Sequence, residues 1–149
     1  MKKRVPFWIE KFESTVRNLR RLSGNKWYKH PQPSLSTLKR TGRGNCVAWS
    51  KLMSEIAVHA NLTVILLIIG ERYESKSKEL PHQICVIVDR EKNVWIQSNI
   101  WCTKYKKLRL PLTKKRLKRL LKRIATRNGK KCDYKTGTKI YSTIIVGEI

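Results

Sequence analysis

The sequence predicts an α+β fold, in which a mostly antiparallel sheet packs against a helix that carries a cysteine at its first turn. Three observations lead there. Apolar residues recur at helical spacing over 7–22 and again over 46–60. A continuous β-branched and leucine run, Thr63 to Ile69, is followed by two shorter apolar stretches on either side of Asp89-Arg90-Glu91-Lys92. Helical and strand patterns come in blocks rather than in strict alternation, which favours antiparallel pairing. The 149 residues suit a single domain, 1–149, with room for a real core.

The elements follow in order. Over 7–22, Phe7, Ile9 (or Trp8), Phe12, Val16, Leu19 and Leu22 form an apolar stripe, and Ser23-Gly24-Asn25 ends the helix. Residues 26–44 hold Pro31, Pro33, Gly42 and Gly44 and read as a loop with one short turn near Leu35 to Leu38. In the second helix Cys46, Trp49, Met53, Ile56 and Ala60 share a face. Asn45 is placed to cap its start and Asn61 to stop it. Thr63 to Ile69 suits a strand buried on both faces, because no polar residue interrupts it. Gln83–Val88 and Asn93–Gln97 suit a hairpin. Pro111 and Thr113 introduce a third helix to about Arg127, with Leu117, Leu120, Leu121 and Ile124 as its stripe. Residues 139–146 read as a last strand.

Charge divides the chain. The total is 34 Lys and Arg against 10 Asp and Glu, a formal +24. Residues 1–44 carry 12 basic and 2 acidic groups, residues 45–102 carry 6 of each, and residues 103–149 carry 16 and 2. A neutral centre is flanked by two basic arms, and such a field attracts polyanions: nucleic acid, an anionic polymer or an anionic surface. On the third helix Lys114, Lys115, Arg116, Lys118, Arg119, Lys122 and Arg123 are the candidate polyanion contacts. The longest apolar run, Val64 to Ile69, is far too short to span a bilayer, and no apolar signal segment follows the basic start. The expectation is a cytoplasmic protein. Cys46, Cys85, Cys102 and Cys132 are far apart and form no Cys-x-x-Cys pair, so neither a zinc site nor any other metal or cofactor is expected.

Chemistry concentrates in the neutral centre. Cys46 at a helix start meets free N–H groups and partial positive charge, which favour the nucleophilic thiolate. Gly44 lets a substrate approach the backbone, and the Cys46 N–H can donate to an oxyanion. Trp27, Gln32 and Asn45 are candidates for a second donor. His82 opens a strand. If the hairpin is centred between Arg90 and Glu91, His82 lies directly opposite Asn99, with Cβ atoms ~4.5–5.5 Å apart. A base and its orienter then meet at one end of the hairpin. A one-residue bulge substitutes Ser98 or Ile100. Asp89, the rival orienter, sits at the hairpin's far end, more than ~20 Å along the strand at ~3.3 Å per residue. Cys85 is an odd number of positions from His82, so it points to the other sheet face, into the core. Asp133 is a remote alternative orienter, Cys102, Cys132 and His30 carry no defined role, and His59 ends the second helix as a surface or capping residue.

The run Gly44-Asn45-Cys46-Val47-Ala48-Trp49-Ser50-Lys51-Leu52 resembles the Gly-x-Cys helix start of transglutaminase-like cysteine proteins, whose architecture is similar to that of papain-like enzymes. In that family an apolar strand comes next, matched here by Thr63 to Ile69. A strand opening with the catalytic His follows, matched by His82-Gln83-Ile84-Cys85-Val86-Ile87. A Trp-containing strand then ends in the catalytic Asp, where this chain has Val94-Trp95-Ile96-Gln97-Ser98-Asn99. The resemblance covers residues 42–101 and departs at Asn99, though papain-like enzymes use Asn. It implies a papain-like or transglutaminase-like core and peptidase, transamidase or deamidase activity on a protein or peptide-like substrate. The family also holds members that have lost catalysis.

Two functional expectations result. One is cysteine-dependent acyl transfer through Cys46, His82 and Asn99, with the basic arms docking the enzyme to a polyanion. The other is nucleic-acid binding on a catalytically inactive version of the fold, using Trp27, Tyr28, Trp101 and Tyr105 among basic residues as stacking platforms.

Overall fold

The computed structural model describes residues 5–29, 33–71, 80–105, 113, 115, 116, 119 and 140–146. The described elements run α1 (Phe7–Leu22), α2 (Leu35–Thr41), α3 (Cys46–His59), β1 (Thr63–Glu71), β2 (Leu80–Val88), β3 (Val94–Ser98), β4 (Trp101–Tyr105) and β5 (Ile140–Val146). The fold is α+β. The strands form one sheet in the order β4-β3-β2-β1-β5, and every neighbouring pair is antiparallel. No helix among the described residues is long and apolar enough to cross a membrane.

Helix α1 spans the predicted residues, but its buried face is narrower than the predicted stripe. Trp8, Ile9, Phe12, Val16 and Leu19 are buried, whereas Phe7 is 74% exposed and Leu22 57% exposed. Both lie at the helix ends, off the line along which the helix meets its neighbours. The loop after α1 contains a full element that the sequence reading reduced to one turn. Ser34 caps α2 by accepting from the Thr37 N–H, and Gly42 closes it in the left-handed region with φ 73°. A Cβ on Gly42 would run into the Leu19 carbonyl oxygen, so this glycine lets the end of α2 abut the end of α1.

Helix α3 begins and ends as its caps predict. Asn45 Oδ1 accepts from the N–H groups of Val47 at 3.0 Å and Ala48 at 3.2 Å. Ala60 and Asn61, the latter at φ 59°, end the helix. Ala48, Trp49, Leu52, Met53, Ile56 and Ala57 are all buried, so α3 is the central helix of the core rather than a surface element. It packs with α1, α2, β1, β2 and β3.

The sheet is apolar on both faces. Val64, Cys85, Ile87 and Trp95 belong to the core shared with the helices. Ile65, Leu67, Ile84, Val86 and Ile96 point the other way and are buried as well. This confirms the two-sided burial expected of the Thr63 to Ile69 run. Strand β4 was not predicted. Its sequence, Trp101-Cys102-Thr103-Lys104-Tyr105, is partly polar because it lies at a sheet edge, where only one side pairs. The expected third helix falls largely outside the described residues. Positions 115, 116 and 119 are helical, and the Arg116 N–H donates to Thr113 Oγ1.

The hairpin register differs from the expectation by one residue. β2 pairs β3 through Cys85↔Gln97, Val86↔Ile96, Ile87↔Trp95 and Val88↔Val94. The loop takes three residues, Arg90, Glu91 and Lys92, rather than two, because the Asp89 N–H donates to the Asn93 carbonyl and closes it. Lys92 adopts φ 64°, the left-handed residue that characterises three-residue hairpin loops. Asp89 secures the turn by accepting from the N–H groups of Glu91 and Asn93 and from Trp95 Nε1.

Candidate active site

The site lies where the N-terminus of α3 meets the start of β2. Asn45 holds the first turn of α3 in place, and Cys46 follows it with its side chain half-buried. The Gln83 N–H points at Cys46 Sγ from 3.5 Å, and the thiol is hydrogen-bonded with the His82 side chain. Gln83 also ties β2 to the helix through its side chain, which donates to Ser50 Oγ, and Ser50 Oγ donates to the Val47 carbonyl. These contacts set the distance between helix and strand and hence between nucleophile and base.

Opposing effects set the acidity of Cys46. Burial pushes the thiol up. The hydrogen bond from His82, the Gln83 N–H, the positive charge on His82 and the Val47 N–H outweigh it, so the thiol sits below its ordinary value. The other described thiols behave oppositely. Cys85 is fully buried, and burial, with the neighbouring Cys102 as a lesser cause, pushes it well up. Cys102 is raised by burial and then by the charge of Glu13.

His82 is 8% exposed, and its Nε2 lies 2.8 Å from Ser98 Oγ. The one-residue change in register accounts for this partner. With Cys85 opposite Gln97, Ile84 would face Ser98, and His82 lies diagonally beyond on the same face. The predicted opposition of His82 and Asn99 is therefore corrected: the three-residue loop, rather than a bulge, shifts the register, and Ser98 takes the place beside the ring. Asn99 instead holds the first position of the two-residue turn between β3 and β4. It adopts φ 51°, a conformation that Asn tolerates, and its carbonyl accepts from Gln97 Nε2 at 2.6 Å.

The remaining expectations divide. Gly44 is buried and close-packed rather than open to substrate. A Cβ there would come within 2.7 Å of Ala48 Cβ, and its carbonyl accepts from Trp49 Nε1 at 3.1 Å. Trp27 is joined to this segment, because the Gly44 N–H donates to its carbonyl at 2.9 Å. Its ring meets Tyr28, Trp49 and Trp101 edge-on. Tyr28 and Trp101 are exposed, so an aromatic wall runs from the start of α3 to the start of β4 beside the site. Asn45 uses its side-chain oxygen as the helix cap. Gln32, His30, Cys132, Asp133 and four of the seven basic residues, Lys114, Lys118, Lys122 and Arg123, lie outside the described residues. Lys115 and Arg119 are exposed and Arg116 is partly buried. Asp89 is at the opposite end of the hairpin, as expected. Among the described residues no group of three metal-ligating side chains occurs.

Sequence reasoning missed the Gln83 N–H as a donor to the thiol and offered Ser98 only as an alternative partner of the ring. The readable signal for Ser98 was the loop: Asp89 and Asn93 bracket three residues whose closure shifts the register. The chain matches no family model, and neither a curated protein nor a solved structure matches it.

Proposed function

We propose that the protein carries out cysteine-dependent acyl transfer on an amide or related carbonyl, as a peptidase, transamidase or deamidase. The observation that carries this reading is the Cys46 thiol at the start of α3, hydrogen-bonded with His82 and faced by the Gln83 N–H. A backbone donor and a base beside one half-buried thiol favour a thiolate–imidazolium pair. In the reaction, Cys46 Sγ attacks the carbonyl carbon and the oxygen takes up the negative charge. In this reading the Cys46 N–H, one of the first-turn donors of α3, donates to that oxygen. The imidazolium of His82 then gives its proton to the departing amine as the C–N bond breaks, which leaves a thioester. Water or an acceptor amine, deprotonated by His82, attacks the thioester and restores the thiol.

The basic flanks supply docking to a polyanion rather than chemistry. Lys11, Arg17 and Arg21 on α1, with Lys26 and Lys29 in the loop after it, are exposed and add to Lys115 and Arg119. The long-range field of a chain at +24 concentrates anionic material near the site. If the thiol is inert, the same charge carries the alternative, nucleic-acid binding on an inactive fold.

The test is the pH dependence of iodoacetamide alkylation, mapped by mass spectrometry, in the native protein and in His82→Ala. The expected result is reaction at Cys46 well below the ordinary thiol value of ~8.5, shifting back toward it without His82. A Cys46 that titrates as a free thiol in both proteins removes the acyl-transfer reading. Salt-dependent nucleic-acid binding then becomes the property to measure.

A further inference from the structure

We propose that Ser98 is the positioning residue of this site: its hydroxyl, 2.8 Å from His82 Nε2, sets the rotation and tautomer of the imidazole that serves Cys46. This rests on the Cys46–His82 reading above. The geometry for it is built by the sheet. Ser98 ends β3 and pairs with Trp101 of β4, so its backbone is held on an element rather than in a loop. The turn beyond it is pinned from inside by Gln97, a fully buried side chain whose Nε2 donates to the Asn99 carbonyl. His82 is held from the other side, since its backbone pairs with Ile69 of β1. Both partners are thus fixed by neighbouring strands, which is what a positioning contact requires.

The chemistry follows from the donors. With Nε2 protonated and donating to Ser98 Oγ, Nδ1 is the ring nitrogen that accepts the thiol proton. A hydroxyl orients the ring without placing a full negative charge beside the imidazolium. Asn99 has a different task, because its left-handed backbone makes the two-residue turn that brings β4 back along β3.

The experiment measures the acidic limb of Cys46 alkylation against pH in Ser98→Ala, Ser98→Thr, Ser98→Val and Asn99→Gly, with near-UV circular dichroism to establish folding. In Ser98→Ala the limb is expected to move toward the free-thiol value by about one pH unit, a tenfold loss of thiolate in that range. Ser98→Thr retains the hydroxyl and the native limb. Ser98→Val has the same shape without the hydroxyl and behaves as alanine does, so the Thr and Val pair decides the matter if the alanine variant does not fold. Glycine accepts the φ of position 99, so Asn99→Gly leaves the limb in place. A native limb in both Ser98→Ala and Ser98→Val, or a shift in Asn99→Gly as large as theirs, overturns the assignment to Ser98 while the Cys46–His82 pair stands. A free-thiol titration in the unmodified protein removes the pair itself, and the two failures are distinguishable.

Discussion

Cys46 and Cys85 carry the same thiol, and both are raised by burial, yet they end on opposite sides of the ordinary value. Cys85 lies inside the sheet among apolar neighbours, where nothing offsets the loss of solvation. Cys46 lies where a helix end meets a strand end, so N–H groups and an imidazole face it from two elements. The difference teaches that burial alone makes a thiol inert. A thiol is activated where hydrogen-bond donors and a base face it, and helix N-termini and strand starts are such places.

The broadest way to break this comparison is differential alkylation of the native protein near neutral pH. Cys46 is expected to react directly. Cys85 is expected to react only through unfolding, slower by ~10³-fold or more. Comparable rates would show that the two environments do not differ. The next effect is on the seam itself. Gly44→Ala forces a Cβ against Ala48 and is expected to cost about 1–3 kcal/mol in denaturant unfolding. It also reduces Cys46 reactivity by pushing the first turn of α3 away from β2. An unchanged midpoint would mean that the close approach at Gly44 is not needed.

Alkaline stability sharpens the contrast. The Cys85 thiol, raised on folding, stays neutral in the folded chain while the unfolded chain ionises above ~8.5. Its contribution is therefore present below that pH and lost as pH rises, at about 1.4 kcal/mol per unit. Unfolding free energies at pH 8, 9 and 10 are expected to fall less steeply in Cys85→Ala by that amount, and equal slopes would contradict the burial of the thiol. Cys46 is lowered on folding, so its contribution has the opposite sign: it is present above the unfolded value and lost as pH falls through the folded one. The smallest expected effect is that of the cap. Asn45→Ala removes the acceptor for two N–H groups and should cost about 1 kcal/mol, read from the unfolding midpoint.

Much of this was legible in the chain. The extent of α1, the Asn45 cap of α3, the two-sided burial of β1 and the inward orientation of Cys85 follow from spacing, capping chemistry and the alternation of a strand. These depend on residues close in sequence. Cys46 and His82 were readable as partners because helix starts and strand starts are locally marked. Strand β4 was not, because an edge strand with Lys104 and Thr103 lacks a strong apolar pattern. The role of Gly44 was misread because its neighbour, Ala48 Cβ, is brought there by the turn of the helix.

The sequence by itself determined that a helix begins at Cys46, that a strand opens near His82, and that the centre of the chain is neutral between basic arms. Tertiary structure decided which of the candidates Asn99, Ser98 and Ile100 meets the imidazole. A loop of three residues in place of two moves the register by one position, and in a strand one position exchanges the faces. That exchange turned Asn99 into a turn residue and set Ser98 against His82.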